Sequence, residues 1–278
     1  MPVSGSDLDA IAPDDRGLAY GDGLFETIRI HRHRLLLPDL HLDRLARGAE
    51  HLRIAYDRNQ LAQDVQSLGD RFPEWGVLKI LLTRGSGGRG YRPAPDNRPR
   101  CILTLHPLPD YGDSRPEEGV EVFVCRQRLA LQPALAGLKH LNRLEQVLAS
   151  LEWPDDSLRE GLMLDMEDNV IEGTRSNLFW AEGGTLHTPA LDRCGVDGVM
   201  RQHLMHELGH VQQTRPSPLA KILGADEVFL CNSVFGVWPV TAVHHDGRVT
   251  IAGSPENGKY TALAKLAFER LLDMTAHG

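Results

Sequence analysis

Residues 161–189 read GLMLDMEDNVIEGTRSNLFWAEGGTLHTP. Apolar, β-branched and aromatic residues come in short runs. Turn formers interrupt them at Asp168-Asn169 and at Glu182-Gly183-Gly184. This pattern predicts three short strands joined by tight turns. Upstream, VEVFVCRQRLA (120–130) reads as a strand and residues 139–153 as a helix. Downstream, VDGVMRQHLMHELGHV (196–211) reads as a helix and EVFLCNSVFGVWPV (227–240) as strand-like. YTALAKLAFERLLDM (260–274) has the 3.6-residue period of an amphipathic helix.

The N-terminal part has its own pattern. GLAYGDGLFETIRIHRHRLLL (17–37) reads as two β-rich segments with HRHR at the turn. Pro38 breaks it, and Asp39 is a helix-cap candidate for LHLDRLARGAEHLRI (40–54). A second helix is expected near 58–70, and strands over 76–85 and 100–108. PLPDYGDSRPEEG (107–119) is rich in Pro, Asp and Gly and poor in apolar residues. The expected division is a small N-terminal domain over 1–106, a linker over 107–118 and a larger domain over 119–278. Strands and helices mix without strict βαβ alternation, so the class expected is α+β.

The 278 residues carry 38 acids against 30 bases, a formal net charge of −8. No basic excess exists to neutralise phosphates, which disfavours a nucleic-acid partner. No run reaches the ~18 apolar residues of a spanning helix. The N-terminus MPVSGSDLDA lacks a secretory pattern. Cys101, Cys125, Cys194 and Cys231 are far apart and read as reduced core residues. The expected location is the cytoplasm, with no membrane partner. Only five of the 30 bases are lysines: Lys79, Lys139, Lys221, Lys259 and Lys265.

Two motifs point to other chemistries. GSGGRG (85–90) matches a dinucleotide fingerprint, but Pro93 and Pro95 forbid the helix that must follow it. It reads instead as a glycine turn, or as a loop offering Arg84, Arg89 and Tyr91 to an anion. HELGH (206–210) puts His206 and His210 at zinc-ligand spacing, the basis of a distant zinc-hydrolase alternative. Gly209 weakens that helix and no third ligand follows in sequence, so no metal is expected.

Lys139, among apolar neighbours near an expected helix start, is a candidate Schiff-base nucleophile, because desolvation frees its lone pair. Lys79, in an apolar strand, is its rival. Glu172 lies in a strand with apolar neighbours and needs a cation or a protonated nitrogen beside it. Gly198-Val199-Met200-Arg201 opens a helix whose free amides suit a phosphate.

Together these segments resemble the fold-type IV pyridoxal-phosphate enzymes, a family of branched-chain and D-amino-acid aminotransferases and aminodeoxychorismate lyases. The resemblance is carried in order by YGDGLFETIR (20–29), HLDRL (41–45), LKHLNRLEQVLA (138–149), VIEGTRSNLFW (170–180), GVDGVMRQ (195–202) and CNSVFGVWPV (231–240). KHLNRLEQ and TRGSGGRGY look most like the lyases. The resemblance implies a two-domain fold, with a small N-terminal α/β domain and a larger β-barrel-like domain carrying helices. It implies bound pyridoxal 5'-phosphate and a homodimer. It makes Lys139 the cofactor-holding lysine and Glu172 the partner of the pyridine nitrogen. Arg44, the Val199 and Met200 amides and Ser233 become phosphate ligands, and Asn142 lies near the cofactor's O3′ oxygen. The implied substrate is the dicarboxylate 4-amino-4-deoxychorismate. Arg84, Arg89 and Tyr91 are candidates for its carboxylates, Arg29 and Arg143 stand behind them, and Thr27 is a pocket wall. The turn before Glu172 reads EDN where relatives often have Gly, and Asn tolerates the same conformation. The alternative is an aminotransferase for branched-chain or D-amino acids.

Overall fold

The computed structural model describes residues 11–110, 118–153, 158–251 and 258–275. The chain forms two compact units. The first holds the residues up to Pro109, Leu138–Arg143 and the residues from Met274 on, and the second holds Asp110–Gly137 and Leu144–Asp273. The change of unit at Pro109/Asp110 falls inside the expected linker, whose residues 111–117 lie outside the described residues. Leu138–Arg143, expected in the larger domain, is part of the first unit. The physical reason is backbone pairing: Phe25 N–H donates to the Lys139 carbonyl (3.0 Å) and Leu141 N–H to the Gly23 carbonyl (3.0 Å).

The first unit contains a short helix α1 (Arg16–Tyr20), strands β1 (Gly23–His31) and β2 (Arg34–Leu35), helices α2 (Pro38–His51) and α3 (Arg58–Gln66), and strands β3 (Trp75–Thr83) and β4 (Arg100–His106). Its four-stranded antiparallel sheet runs β2-β1-β3-β4. HRHR is the hairpin turn, with Arg32 and His33 at φ +50° and +63°. Asp39 does not cap α2: Leu37 holds the cap position, Pro38 opens the helix, and Asp39 lies in the first turn. Alternation along β1 sends Leu24, Ile28 and Ile30 into a core with Leu78, Ile80 and Leu82 of β3 and Leu42 and Leu45 of α2.

The second unit begins with β5 (Val120–Leu129) and α4 (Leu144–Ser150). The helix is shorter than the expected 139–153, because residues 138–141 are extended against β1. Next come β6 (Glu160–Asp165), β7 (Val170–Gly173), β8 (Asn177–Glu182) and β9 (Thr185–Pro189). The decisive stretch is thus four strands, not three, since Gly173 N–H bonds the Ser176 carbonyl (2.7 Å) and turns the chain between β7 and β8. The left-handed residue of the EDN turn is Asp168, at φ +60°, rather than Asn169. Asn169 is instead used as an anchor, accepting from Ser217 N–H (3.0 Å).

The unit continues with α5 (Val199–Leu208), β10 (Val211–Thr214), α6 (Leu219–Leu223), β11 (Glu227–Asn232), β12 (Gly236–His245), β13 (Arg248–Ile251) and α7 (Lys259–Met274). Strands β8-β11-β12-β5-β6-β7 close through the β7–β8 pairing into a barrel. β9 and β10 extend one side, and β13 pairs with β12. Val122, Leu162, Leu178, Trp180, Leu230 and Trp238 are among the residues of one core of this unit. A second core, including Phe123, Met163, Ile171 and Leu191, packs against Ala149 of α4. All four cysteines are free and buried.

Candidate functional site

In the first unit the Lys139 side chain lies beside β1. Its Nζ stands 4.4 Å from the centroid of the Phe25 ring, and the residue is half-buried. The next residue, His140, bridges to Leu24. Burial, with Arg143 beside it, pushes the His140 imidazole down to about 4. Arg143 folds back on this segment, donating to the His140 carbonyl (2.9 Å). Asn142 donates to the Gly21 carbonyl (3.1 Å). Its side-chain NH2 is thereby tied to the turn at Gly21.

Arg44 projects from α2 into the core face of the sheet. Nε donates to Glu26 Oε1 (2.7 Å) and Nη2 to Glu26 Oε2 (2.5 Å). His41 Nδ1 lies 2.6 Å from Glu26 Oε2. Burial opposes charge on Glu26, but Arg44 and then His41 outweigh it and hold the carboxyl at about 2. Burial lowers the His41 imidazole below its ordinary range, against the pull of Glu26. Its Nε2 is buried without a hydrogen-bond partner among the described residues. The sequence reading found Arg44 and missed Glu26 and His41. The alternation of FETIR was the available signal, because it sets Glu26 on the apolar face.

The glycine loop differs from expectation. Arg84 donates from Nε and Nη2 to the two oxygens of Asp22 (2.8 and 3.0 Å), from Nη1 to the Arg53 carbonyl (2.8 Å) and from Nη2 to the Leu52 carbonyl (2.7 Å). Its donors clamp the loop's root. Buried Arg16 fixes the far end, through the carbonyls of Gly90 (3.0 Å) and Tyr91 (2.8 Å). Arg89 and Tyr91 are exposed, with Tyr91 edge-on to Tyr20 at 5.6 Å. No helix follows the glycines. Thr27 sits mid-β1, opposite Lys79.

In the second unit Glu172 is 4% exposed. Its Oε2 accepts from Val196 N–H (2.7 Å), and Gln146 of α4 approaches Oε1 at 3.5 Å. A register shift places it there. Leu162 pairs with Gly173, Met163 with Glu172 and Leu164 with Val170, which leaves Ile171 as an extra residue. Without that bulge Glu172 would share the face of Leu162 inside the barrel. With it, Glu172 shares the face of Met163. Fully buried Glu160 pins the following turn, accepting from Thr174 N–H (3.0 Å) and the Ser176 hydroxyl (2.9 Å).

Loop 195–198 enters α5. Gly198 is its N-cap, with no side-chain cap bond and no acid in the first turn, so no protein oxygen of this kind competes at the Val199 and Met200 amides. Gly195, at φ +82°, leaves a space beside Glu172: a Cβ there would stand 3.3 Å from Oε2 and 2.8 Å from Ile171 Cγ2. At Gly198 a Cβ would collide with Asn177 Oδ1. Arg201 locks the helix entry through Asp197 (2.7 Å) and the Pro189 carbonyl (3.0 Å). Ser233 lies in the β11–β12 turn, where Asn232 Oδ1 accepts from the amides of Val234 and Phe235 (2.9 and 2.8 Å). A buried acid, glycine-lined space and an uncapped helix start fit a ring carrying a protonated nitrogen and a phosphate.

The zinc alternative is corrected. α5 ends at Leu208 and Gly209 turns the chain at φ +72°, so His206 and His210 do not share a helix face. Among the described residues no cluster of three or more His, Cys, Asp or Glu could hold a metal ion. Among them, too, no helix is long and apolar enough to cross a membrane.

The amino-transferase class IV family matches residues 23–243. The chain is 36% identical over 232 residues to an aminodeoxychorismate lyase of Vibrio harveyi, covering 82% of this chain and 86% of that protein. It is 26% identical over 252 residues to a D-alanine aminotransferase of Bacillus licheniformis, covering 88% and 87%. The crystal structure of 4-amino-4-deoxychorismate lyase from Pseudomonas aeruginosa is similar at TM-score 0.83 and 45% identity, over 94% of each chain.

Proposed function

The chain belongs to the class IV amino-transferase family, and on that basis we propose that it is a pyridoxal-phosphate-dependent lyase. It converts 4-amino-4-deoxychorismate to 4-aminobenzoate and pyruvate, a step toward folate. The observation that carries this reading is the likeness to two such lyases over most of their length, at higher identity than to the D-alanine aminotransferase.

Lys139 holds the cofactor covalently, and Glu172 pairs with its pyridine nitrogen. Arg44, the Val199 and Met200 amides and Ser233 hold its phosphate. Bound pyridoxal phosphate supplies an electron sink for the carbon that carries the substrate amine. Glu172, fixed by Val196 N–H, keeps the proton on the pyridine nitrogen. Lys139 Nζ would remove the proton from substrate C4. Enolpyruvate leaves from C3, and the ring that remains becomes aromatic. Lys139 then protonates the departing enolpyruvate to pyruvate. Arg89, Tyr91 and Thr27 remain candidates for contacts with the substrate.

The protein is a cytoplasmic homodimer in this reading. Leu144, Val147, Leu148 and Leu151 are exposed at helical spacing along α4 and its end, an apolar stripe suited to a second copy. Four free, buried cysteines accord with a reducing compartment.

The direct test is incubation of the holoenzyme with 4-amino-4-deoxychorismate, with 4-aminobenzoate and pyruvate expected in equal amounts. The Lys139→Ala variant should lose both turnover and the cofactor's protein-bound absorbance. Wild-type behaviour in that variant would end the assignment. Amino-group exchange between D-alanine or a branched-chain amino acid and a 2-oxo acid, with no 4-aminobenzoate formed, would establish the aminotransferase reading instead.

A further inference from the structure

Helix α2 turns two polar side chains inward, His41 and Arg44, three positions apart and therefore on one face. Both meet Glu26 of β1. Its neighbours on the same strand face, Leu24 and Ile28, belong to the apolar core. Glu26 and His41 are fully buried. Two of the three guanidinium nitrogens of Arg44 are turned to the carboxylate, and His41 Nδ1 shares Glu26 Oε2 with Arg44 Nη2.

Charge decides what His41 can do here. Glu26, held at about 2, is ionised at neutral pH and only accepts. Nδ1 therefore carries the hydrogen that faces it, and Nε2 is the nitrogen that gains or loses a proton. Nε2 is buried without a hydrogen-bond partner among the described residues, a costly arrangement for a polar atom. The Arg44–Glu26 pair is electrically neutral, whereas a phosphate monoester is mostly a dianion at neutral pH. A guanidinium already matched by a carboxylate attracts further negative charge weakly. The charged groups acting on His41 are Glu26 from β1, Arg44 from its own helix and Lys139 from the segment paired with β1. Burial opposes the protonated ring, Glu26 favours it, and Arg44 and Lys139 oppose it. A dianion on Arg44 offsets those cations and tips the balance toward protonation.

From this geometry, and resting on the cofactor reading above, we propose that His41 is a positioning residue for the cofactor's phosphate: Nε2 takes a proton from solvent when Arg44 receives the dianion. The imidazolium then balances Glu26, and Arg44 meets the phosphate with its full charge. Without the phosphate the proton leaves, and the three side chains return to a net charge of zero. Cofactor loading is thereby linked to pH through a residue that takes no part in proton transfer to the substrate.

The test is calorimetric titration of the cofactor-free full chain with pyridoxamine 5'-phosphate, whose amine cannot condense with Lys139. Proton uptake is read from the heats in buffers of different ionisation enthalpy. Near neutral pH the wild type takes up more protons than His41→Gln, by up to about one per site. Its affinity falls with rising pH more steeply than the variant's, by up to about tenfold per pH unit. Pyridoxamine, which lacks the phosphate, shows no such difference. The difference persists in a Lys139→Ala background, which separates this proton from that of Lys139. His41→Asn replaces His41→Gln if the latter fails to fold. Equal proton uptake in wild type and variant overturns the inference while the cofactor reading stands. So does a difference that remains with pyridoxamine or vanishes without Lys139. Failure of the wild type to bind pyridoxamine 5'-phosphate overturns both.

Discussion

Arg44 holds Glu26 through two N–H···O bonds of 2.7 and 2.5 Å, with the arginine 7% exposed and the acid fully buried. A guanidinium proposed to meet a phosphate is thus aimed by a carboxylate behind it, which costs desolvation and gains a fixed direction.

Glu26→Gln removes the countercharge and leaves the buried guanidinium without it. The expected loss is about 3 kcal/mol, at the lower end for a broken buried pair. Urea unfolding of the cofactor-free protein measures it. A change below about 1 kcal/mol would show that the pair contributes little.

Arg44→Ala is expected to weaken retention of pyridoxal phosphate, read as faster loss of the cofactor on dialysis. Equal retention in variant and wild type would take Arg44 out of the phosphate site.

Acid should destabilise the fold in two stages. His41 and His140 are held below the ordinary histidine value of 6.5, His140 at about 4, each chiefly by burial. The unfolded chain therefore binds protons first, and their contribution is full above pH 6.5 and falls as pH drops below it. Glu26, held at about 2 against an ordinary 4.5, adds stability present above pH 4.5 and lost as pH falls through 2. Melting temperatures between pH 7 and 3 should decline throughout; Glu26→Gln should flatten the lower stage and, because Glu26 holds the His41 pKa up, deepen the decline of the upper one.

Gly198→Ala places a methyl group against the Asn177 side chain, which itself holds the Val196 carbonyl (2.8 Å). The α5 entry should shift, with cofactor affinity falling roughly tenfold or more by fluorescence titration, since amide donors tolerate little displacement. Unaltered affinity would separate this loop from phosphate binding.

Leu148→Glu charges the exposed stripe on α4 and should drive the protein toward monomer in sedimentation equilibrium. A wild-type dimer that persists in this variant would place the interface elsewhere.

Short-range patterns settled much of this protein. Alternating apolar runs marked β1, β3 and β4, proline and glycine marked their ends, and the ordered segments around Lys139 and Glu172 carried the family resemblance. Such features depend on neighbours within a few residues, so a linear reading reaches them. Lys139 was legible by identity but not by setting. Its segment looked helical, and only pairing with a strand over a hundred residues away makes it extended. The partners of Arg84 were out of reach for the same reason, since its acceptors at Asp22, Leu52 and Arg53 are remote in sequence.

The chain alone thus determined which chemical groups exist, their order and the elements that carry them. Tertiary structure decided their direction: one extra residue at Ile171 turns Glu172 out of the barrel interior, and strand register sets Lys79 on the face of Lys139. Side chains alternate with a period of two, so a single-residue shift in pairing reverses every facing. That shift is fixed by contacts between distant strands, not by the residues on either side.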